Sequence, residues 1–321
     1  MLERFPVNGD AWSGQVLVTG SGGCIGAWTM ALLVRAGVGV TALDLDPKPR
    51  RPALLMSDEE LARIDWVVGD ITDPETVLQA AKGCQAIIHL AALQVPFCMA
   101  DPIGGARVNV VGTVNVFEAA RHEGIRRVGH ASSIAAHGFF PDSPYLKTLY
   151  GAYKTCGEQI AAVYWQDWNV PSVGLRPSVV QGVGRDQGVT SKTTVAIQAA
   201  ALGAPYTVPF SGPVSFLHAG EVASAFIQSV ASDGDGAPVF DINGGATTVE
   251  AIVGQLRTLA PDSNIAIEGD PLPFPADLPD AAVRAHLGDY GSIAPAEGVE
   301  GTFHAFRSLA EEGRMTASDI R

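Results

Sequence analysis

Short apolar runs recur along the first 180 residues, and stretches of helical spacing separate most of them. "QVLVTG" (15–20), "VGVTALDLD" (38–46), "IDWVVGD" (64–70), "CQAIIHLAA" (84–92), "RRVGHASS" (126–133) and "PSVGLRPSVV" (171–180) read as strands. "GAWTMALLVRAG", "DPETVLQAAKG", "RVNVVGTVNVFEAARHEG" and "LYGAYKTCGEQIAAVYWQDW" read as helices. Strands joined through helices must run parallel, because the chain has to return to the same end before each new strand. The runs are continuous rather than alternating, as in a sheet covered on both faces. The sequence therefore predicts an α/β fold, a doubly wound parallel sheet. The prolines of "PKPRRP" (47–52) predict an irregular interruption. Past Val180 the pattern loosens and glycine and proline increase. We expect an irregular lead-in over 1–14, a nucleotide-binding domain over 15–180, and a smaller C-terminal substrate lobe over 181–321, with some of its segments returning to the first domain.

The seam between the first strand and first helix carries Gly20, Gly23 and Gly26, a GxxGxxG pattern. In a chain with 36 glycines such spacing alone is weak, but here it directly follows a strand and opens a helix. Gly20 permits the tight turn, Gly23 lets backbone N–H groups approach a pyrophosphate, and Gly26 lets helix and strand pack closely. The helix N-terminus favours the negative charge. Asp44 ends the second strand, 24 residues after Gly20, where a carboxylate accepts hydrogen bonds from adenosine ribose hydroxyls and repels a 2′-phosphate. The expected cofactor is thus NAD. Asp46 is a rival for the ribose, and Lys48, Arg50 and Arg51 are cations that a phosphate would favour. Asp70, closing the third strand, is placed to meet the adenine or to cap the next helix.

Tyr150 and Lys154 lie four apart on one helix face. A phenol titrates near pH 10, and a neighbouring ammonium stabilises its phenolate. Tyr150 is therefore a candidate general base for a substrate hydroxyl, or general acid for a carbonyl. Ser133, ending the fifth strand, is placed to hydrogen-bond the same oxygen. Tyr153 is a decoy, because the residue four beyond it is Gly157.

Together, the glycine loop, "HLAA" (89–92), "ASS" (131–133), "YGAYK" (150–154) and "LRPSVVQGVG" (175–184) resemble the extended short-chain dehydrogenase/reductase family, also called the NAD-dependent epimerase/dehydratase family. The likeness runs from Gln15 to about Phe306. It implies a Rossmann domain, a small substrate lobe, a Ser–Tyr–Lys triad of Ser133, Tyr150 and Lys154, and a homodimer. It also implies a cofactor site built from Gly20, Gly23, Cys24, Ile25, Gly26, Asp44, Asp70, Ile71, Leu90, Ala91, Ala92, Asn109, Tyr150, Lys154, Pro177 and Val180. Lys154 would tune Tyr150 and bind the nicotinamide ribose. Asn109 would support the active site, or is simply an interior helix residue bonded to backbone. The substrate candidates are Gln94, Ser133, His137, Gln181 and Arg185, with Phe216 weaker. His137 replaces a tyrosine common in relatives, and reads equally as a substrate contact or a loop residue.

The nucleotide-sugar branch of that family usually reads "RDF.HV.D" in its second lobe; here "VSFLHAGE" (214–221) puts Val214 at the arginine. A second arginine before a "GD" is absent from "AIEGD" (266–270). Uncharged replacements leave a diphosphate poorly compensated. The acidic balance, 34 acidic against 21 basic side chains, points the same way and also disfavours nucleic acid and anionic membranes as partners. Four dispersed cysteines without CxxC spacing suggest reduced thiols, no metal site and a cytoplasmic protein. No run is long enough for a membrane span. The sequence thus predicts an NAD-dependent dehydrogenase or reductase acting on a hydroxyl or carbonyl of a small sugar-like or hydroxylated substrate. The alternatives are an NAD-retaining sugar or nucleotide-sugar epimerase or dehydratase, and a non-catalytic NAD-sensing protein.

Overall fold

The computed structural model describes residues 2–47 and 49–320; Lys48, one of the three cations near the second strand, lies outside them. Its strands are β1 (Gln15–Thr19), β2 (Val40–Asp44), β3 (Asp65–Val68), β4 (Cys84–His89), β5 (Val128–Ala131), β6 (Val173–Pro177), β7 (Val180–Gln181), β8 (Tyr206–Val208), β9 (Pro213–His218), β10 (Val239–Ile242), β11 (Gly245–Thr248) and β12 (Ile265–Ile267). Seven of them form one parallel sheet in the order β10-β6-β5-β4-β1-β2-β3. After β1 the chain steps outward to β2 and β3, then returns to place β4 on the other side of β1. The order reverses between β1 and β4, which opens a crevice at their carboxyl ends.

Burial on both faces of the sheet explains the continuous apolar runs. Val16 and Val18 of β1 face a core shared with the first helix (Cys24–Arg35) and the helix Ala219–Ser229. Leu17 of the same strand faces a second core, which includes Val77, Phe117 and Tyr164 from helices Pro74–Ala81, Gly112–Glu123 and Leu149–Trp168. Residues from Val180 onward build a three-stranded sheet, β11-β9-β7, and a two-stranded one, β12-β8. The same stretch also returns β10 to the edge of the main sheet beside β6.

Two local expectations are corrected. "PKPRRP" is not irregular throughout, because a helix begins at Arg50 and runs to Leu55 with Pro52 inside its first turn. Proline fits there because the N–H it lacks would have no helical partner. The long helix expected from Arg107 is also not uniform. A π turn over Arg107–Val111 interrupts it before the α-helix resumes at Gly112. Such bulges rotate side chains away from regular spacing, and this one carries Asn109.

Candidate active site

The crevice is a cavity of about 770 Å³. Its floor is set by the glycine loop. Gly20 has φ of +68°, and a Cβ there would lie 2.6 Å from the Ala91 nitrogen. A Cβ on Gly26 would lie 2.4 Å from the Gly20 oxygen, so the helix can start this close to β1 only without one. Gly23, Cys24 and Ile25 complete this edge of the cavity. The Gly22 N–H donates to Asp44 Oδ2 at 2.8 Å, which fixes the carboxylate at the mouth beside the loop. Asp70 and Ile71 line the same end. Asp70 Oδ1 accepts from the Thr72 N–H at 2.8 Å, so the turn role and the lining role coexist. Asp46 also lines the cavity, and its N–H donates to Asp44 Oδ1 at 3.3 Å. Arg50 pairs with Asp319 at 2.9 Å and Arg51 with Asp186 at 2.7 Å, so carboxylates already engage both. Glycines a Cβ would fill, a helix N-terminus and a carboxylate at the end of β2 together fit NAD.

Leu90, Ala91 and Ala92 line the cavity from the end of β4, as do Pro177 and Val180 from β6 and β7. Ser133, Tyr150 and Lys154 all line it, with Ser133 in hydrogen-bond contact with the Tyr150 phenol. The Ser133 hydroxyl accepts from the Ala135 N–H at 3.2 Å, which starts the short helix Ile134–Phe139. The tyrosine helix, Leu149–Trp168, is capped by Thr148, whose hydroxyl accepts from the Gly151 N–H at 3.0 Å. Further along it, the Glu158 carboxylate takes two hydrogen bonds from Arg176 of β6, both 2.7 Å, and one from the Ser132 hydroxyl. This pair ties the helix to β6 and to the segment after β5; β5 ends at Ala131, so Ser133 lies just beyond the strand it was expected to end.

Burial pushes the Tyr150 phenol up, while hydrogen bonding by Ser133 and the nearby Arg185 guanidinium pull it back down. Lys154 Nζ lies 5.6 Å from the centre of the Tyr150 ring and donates to the Ala131 carbonyl at 2.6 Å. Burial draws this ammonium down to about 8. Two cations thus stand near the phenol, Arg185 and, beside the ring, Lys154.

The remaining predicted residues divide. Gln94 and Arg185 line the cavity. Asn109 does not line it and is buried. Its Oδ1 accepts from the Leu93 N–H at 2.7 Å, and its Nδ2 donates to the Leu93 carbonyl at 2.9 Å, so it shapes the loop after β4. Its backbone-bonded reading holds, and any effect on the cofactor passes through that loop. His137 stands behind the lining. Its Nε2 meets Asp241 Oδ1 at 2.7 Å, and its ring stacks on Tyr145, which does line the cavity. Gln181 is fully buried and accepts from the Thr193 and Thr194 hydroxyls at 2.8 and 2.7 Å. Phe216 is fully buried in the core. Sequence reasoning missed Tyr145, Leu146 and the segment Leu272–Phe274, all lining the cavity. No short spacing marks them, because they converge from distant parts of the chain.

A dinucleotide cradle leading to a Ser–Tyr–Lys constellation defines an NAD-dependent enzyme of the short-chain dehydrogenase/reductase type. The model of the NAD dependent epimerase/dehydratase family matches residues 16–243, and the chain belongs to that family. It is 31% identical over 319 residues to a UDP-glucose 4-epimerase of Mycolicibacterium smegmatis, covering 92% of this chain and 100% of the relative. It is also 31% identical over 187 residues to a 2-alkyl-3-oxoalkanoate reductase of Stenotrophomonas maltophilia, covering 54% of this chain and 53% of that one. The NAD complex of a Thermus thermophilus UDP-glucose 4-epimerase superposes with a TM-score of 0.75 at 23% identity, over 91% of this chain and 99% of the other.

Proposed function

We propose that this chain is a dehydrogenase or reductase that interconverts a secondary hydroxyl and a carbonyl on a small substrate that is not a nucleotide-sugar. NAD, held along the glycine loop and Asp44, supplies the hydride acceptor or donor. Tyr150 moves the proton at the substrate oxygen, and the Ser133 hydroxyl holds that oxygen. Lys154, fixed on the Ala131 carbonyl, presents a cation beside the Tyr150 ring. Arg185 and Gln94 are the polar candidates for the rest of the substrate. The observation that carries the choice against a nucleotide-sugar is Val214. This residue, at the position of the diphosphate-gripping arginine, is buried in the core of β9. Glu268, near the second expected position, is exposed and outside the cavity lining.

One observation favours the second reading, an epimerase that keeps its NAD. Arg51 bridges the glycine loop and Asp186, donating to the Gly22 carbonyl at 3.1 Å, a closure suited to a resident cofactor. The test is cofactor retention. Purified protein is denatured and NAD(H) per chain is assayed. An empty or freely exchanging site supports the dehydrogenase, and near-stoichiometric NAD that does not exchange with labelled NAD supports the epimerase.

The chain is also proposed to form a homodimer. Val111 and Val163, on the helical segments flanking the second core, are 45% exposed and available to a second copy. Light scattering on the eluted peak tests this, with a monomer mass as the contrary result. A cytoplasmic location is proposed from the four free cysteines. Among the described residues, no helix is long and apolar enough to cross a membrane.

A further inference from the structure

Two segments far apart in sequence give the cavity an apolar wall. Tyr145 and Leu146 come from the connection before the tyrosine helix. Leu272, Pro273 and Phe274 follow Gly269-Asp270, the dipeptide before which the nucleotide-sugar branch carries an arginine and this chain does not. The Tyr145 and Phe274 rings stack 5.8 Å apart and within 5° of parallel. Behind Tyr145, the His137 ring stacks at 5.2 Å, and Phe140 meets His137 edge-on at 4.7 Å. Asp241 holds His137 from β10. The wall is therefore braced by three aromatic contacts and an acidic anchor.

Among the described residues, two cations of this cavity have no carboxylate partner, Lys154 and Arg185. Arg50 and Arg51 have carboxylate partners, and Lys154 sits on a carbonyl. Arg185 Nη2 donates to Thr190 Oγ1 at 3.3 Å, while its Nε is buried without a partner. No carboxylate lies within ion-pair distance of it among the described residues. A half-buried guanidinium whose Nε is left this way is costly unless a ligand supplies the anion. Thr190, Gln94 and Tyr150 line the cavity with it.

We propose that the substrate is a keto or hydroxy acid with an apolar aryl or alkyl body. Its carboxylate pairs with Arg185, its body lies against the Tyr145–Phe274 wall, and its reacting oxygen meets Tyr150 and Ser133. This rests on the oxidoreductase reading above and narrows it. A nucleoside diphosphate would need more cations than Arg185 alone, because Lys154 is committed to the Ala131 carbonyl beside Tyr150. A uronic acid would set its hydroxyls against a wall of leucine, proline and phenylalanine, leaving them unpaired.

The test is calorimetric titration of the NADH-loaded protein with 3-phenylpropanoate, 3-phenylpropan-1-ol, galacturonate and UDP. The acid should bind at least about tenfold more tightly than the other three, a ratio set by one lost ion pair or one lost apolar contact surface. Phe274→Ala and Arg185→Gln should each remove most of that advantage, while leaving the NADH content unchanged. Tighter binding of galacturonate or UDP, no binding of the acid, or wild-type affinity in Phe274→Ala overturns the proposal. Loss of NADH instead of the acid in Arg185→Gln also overturns it, by assigning the guanidinium to the cofactor pyrophosphate. Turnover of 3-oxo-3-phenylpropanoate is then followed by NADH absorbance. Binding as expected without NADH consumption would sink the oxidoreductase reading and leave the ligand class standing.

Discussion

Tyr150 illustrates how much of the chemistry rests on single atoms. Its ring is held beside Lys154, and its phenol is poised between burial, which favours the neutral form, and Ser133 and Arg185, which favour the ionised one. Tyr150→Phe keeps the ring and removes only the titrating hydroxyl. Turnover should fall by about 10²–10⁴-fold, the usual contribution of a positioned acid–base group, with the affinity for NAD unchanged. Steady-state rates beside an NADH fluorescence titration would check both halves. At the other end of the cavity, Asp44 should behave in the opposite way. Asp44→Ala removes a charged hydrogen-bond acceptor of about 1.5–3 kcal/mol, so NAD should bind at least about tenfold more weakly. NADP should gain relative to NAD, which parallel titrations with the two cofactors would show. These residues were legible because each is marked by short spacing: a glycine every third position, an acid at the end of the second strand, a tyrosine four before a lysine. The sequence marks Arg185 as a substrate candidate but does not show that it lacks an anion. That fact depends on which partners Arg50 and Arg51 find, and those lie at positions 319 and 186.

Between elements, one long-range tie runs across the glycine loop. Arg51, from the helix Arg50–Leu55, reaches both the Gly22 carbonyl and Asp186, and the loop bearing Asp186 is pinned a second time by the Trp28 indole, which donates to the Val183 carbonyl at 3.0 Å. Loop 182–190 is thereby seated on the cofactor helix. Releasing it should speed cofactor escape more than it weakens folding, because the pair is partly exposed and such pairs are worth about 1 kcal/mol or less. Arg51→Ala and Asp186→Ala should each raise the NAD dissociation rate several-fold. The double variant should add little, since both singles break the same contact. Stopped-flow displacement of NADH by excess NAD would measure it, and unchanged rates would deny the tie any part in retention. The alternation of strands and helices was legible because buried parallel strands are apolar throughout, whereas this tie joins residues 135 apart and leaves no periodic trace. The helix containing Pro52 escaped for a related reason. Proline forbids the middle of a helix but not its first turn, and the sequence does not mark where that turn begins. The aromatic wall escaped because Tyr145 and Phe274 come from distant parts of the chain and meet only in the folded protein.

For the molecule as a whole, the closing of the C-terminal segment onto the core sets a pH dependence that can be isolated. Glu221, on the helix Ala219–Ser229, is 1% exposed, and its Oε1 accepts a hydrogen bond from the Ile293 N–H. Its Oε2 has no partner among the described residues. Burial pushes this carboxyl up to about 8, against the opposing pull of the Ile293 N–H and Arg284. Below the ordinary glutamate range both folded and unfolded states hold the proton, and nothing is lost. Between there and about pH 8 the unfolded chain has released it while the folded chain keeps it, so stability falls by about 1.4 kcal/mol per pH unit and then levels off. Three buried histidines act in the other direction. Burial holds His89 and His218 at about 3 and His130 at about 4, so the unfolded chain takes up protons that the folded one refuses, and stability falls as acidity rises. Their contribution is common to wild type and to Glu221→Gln, which keeps an acceptor for the Ile293 N–H but cannot ionise. The difference in unfolding free energy between the two proteins therefore reports Glu221 alone. It should grow in favour of glutamine from about pH 5 to about pH 8 and stay constant above. Urea unfolding of both proteins across that range would show it. A pH-independent difference would mean that Glu221 ionises within the fold, and that solvent reaches the junction between the C-terminal segment and the sheet.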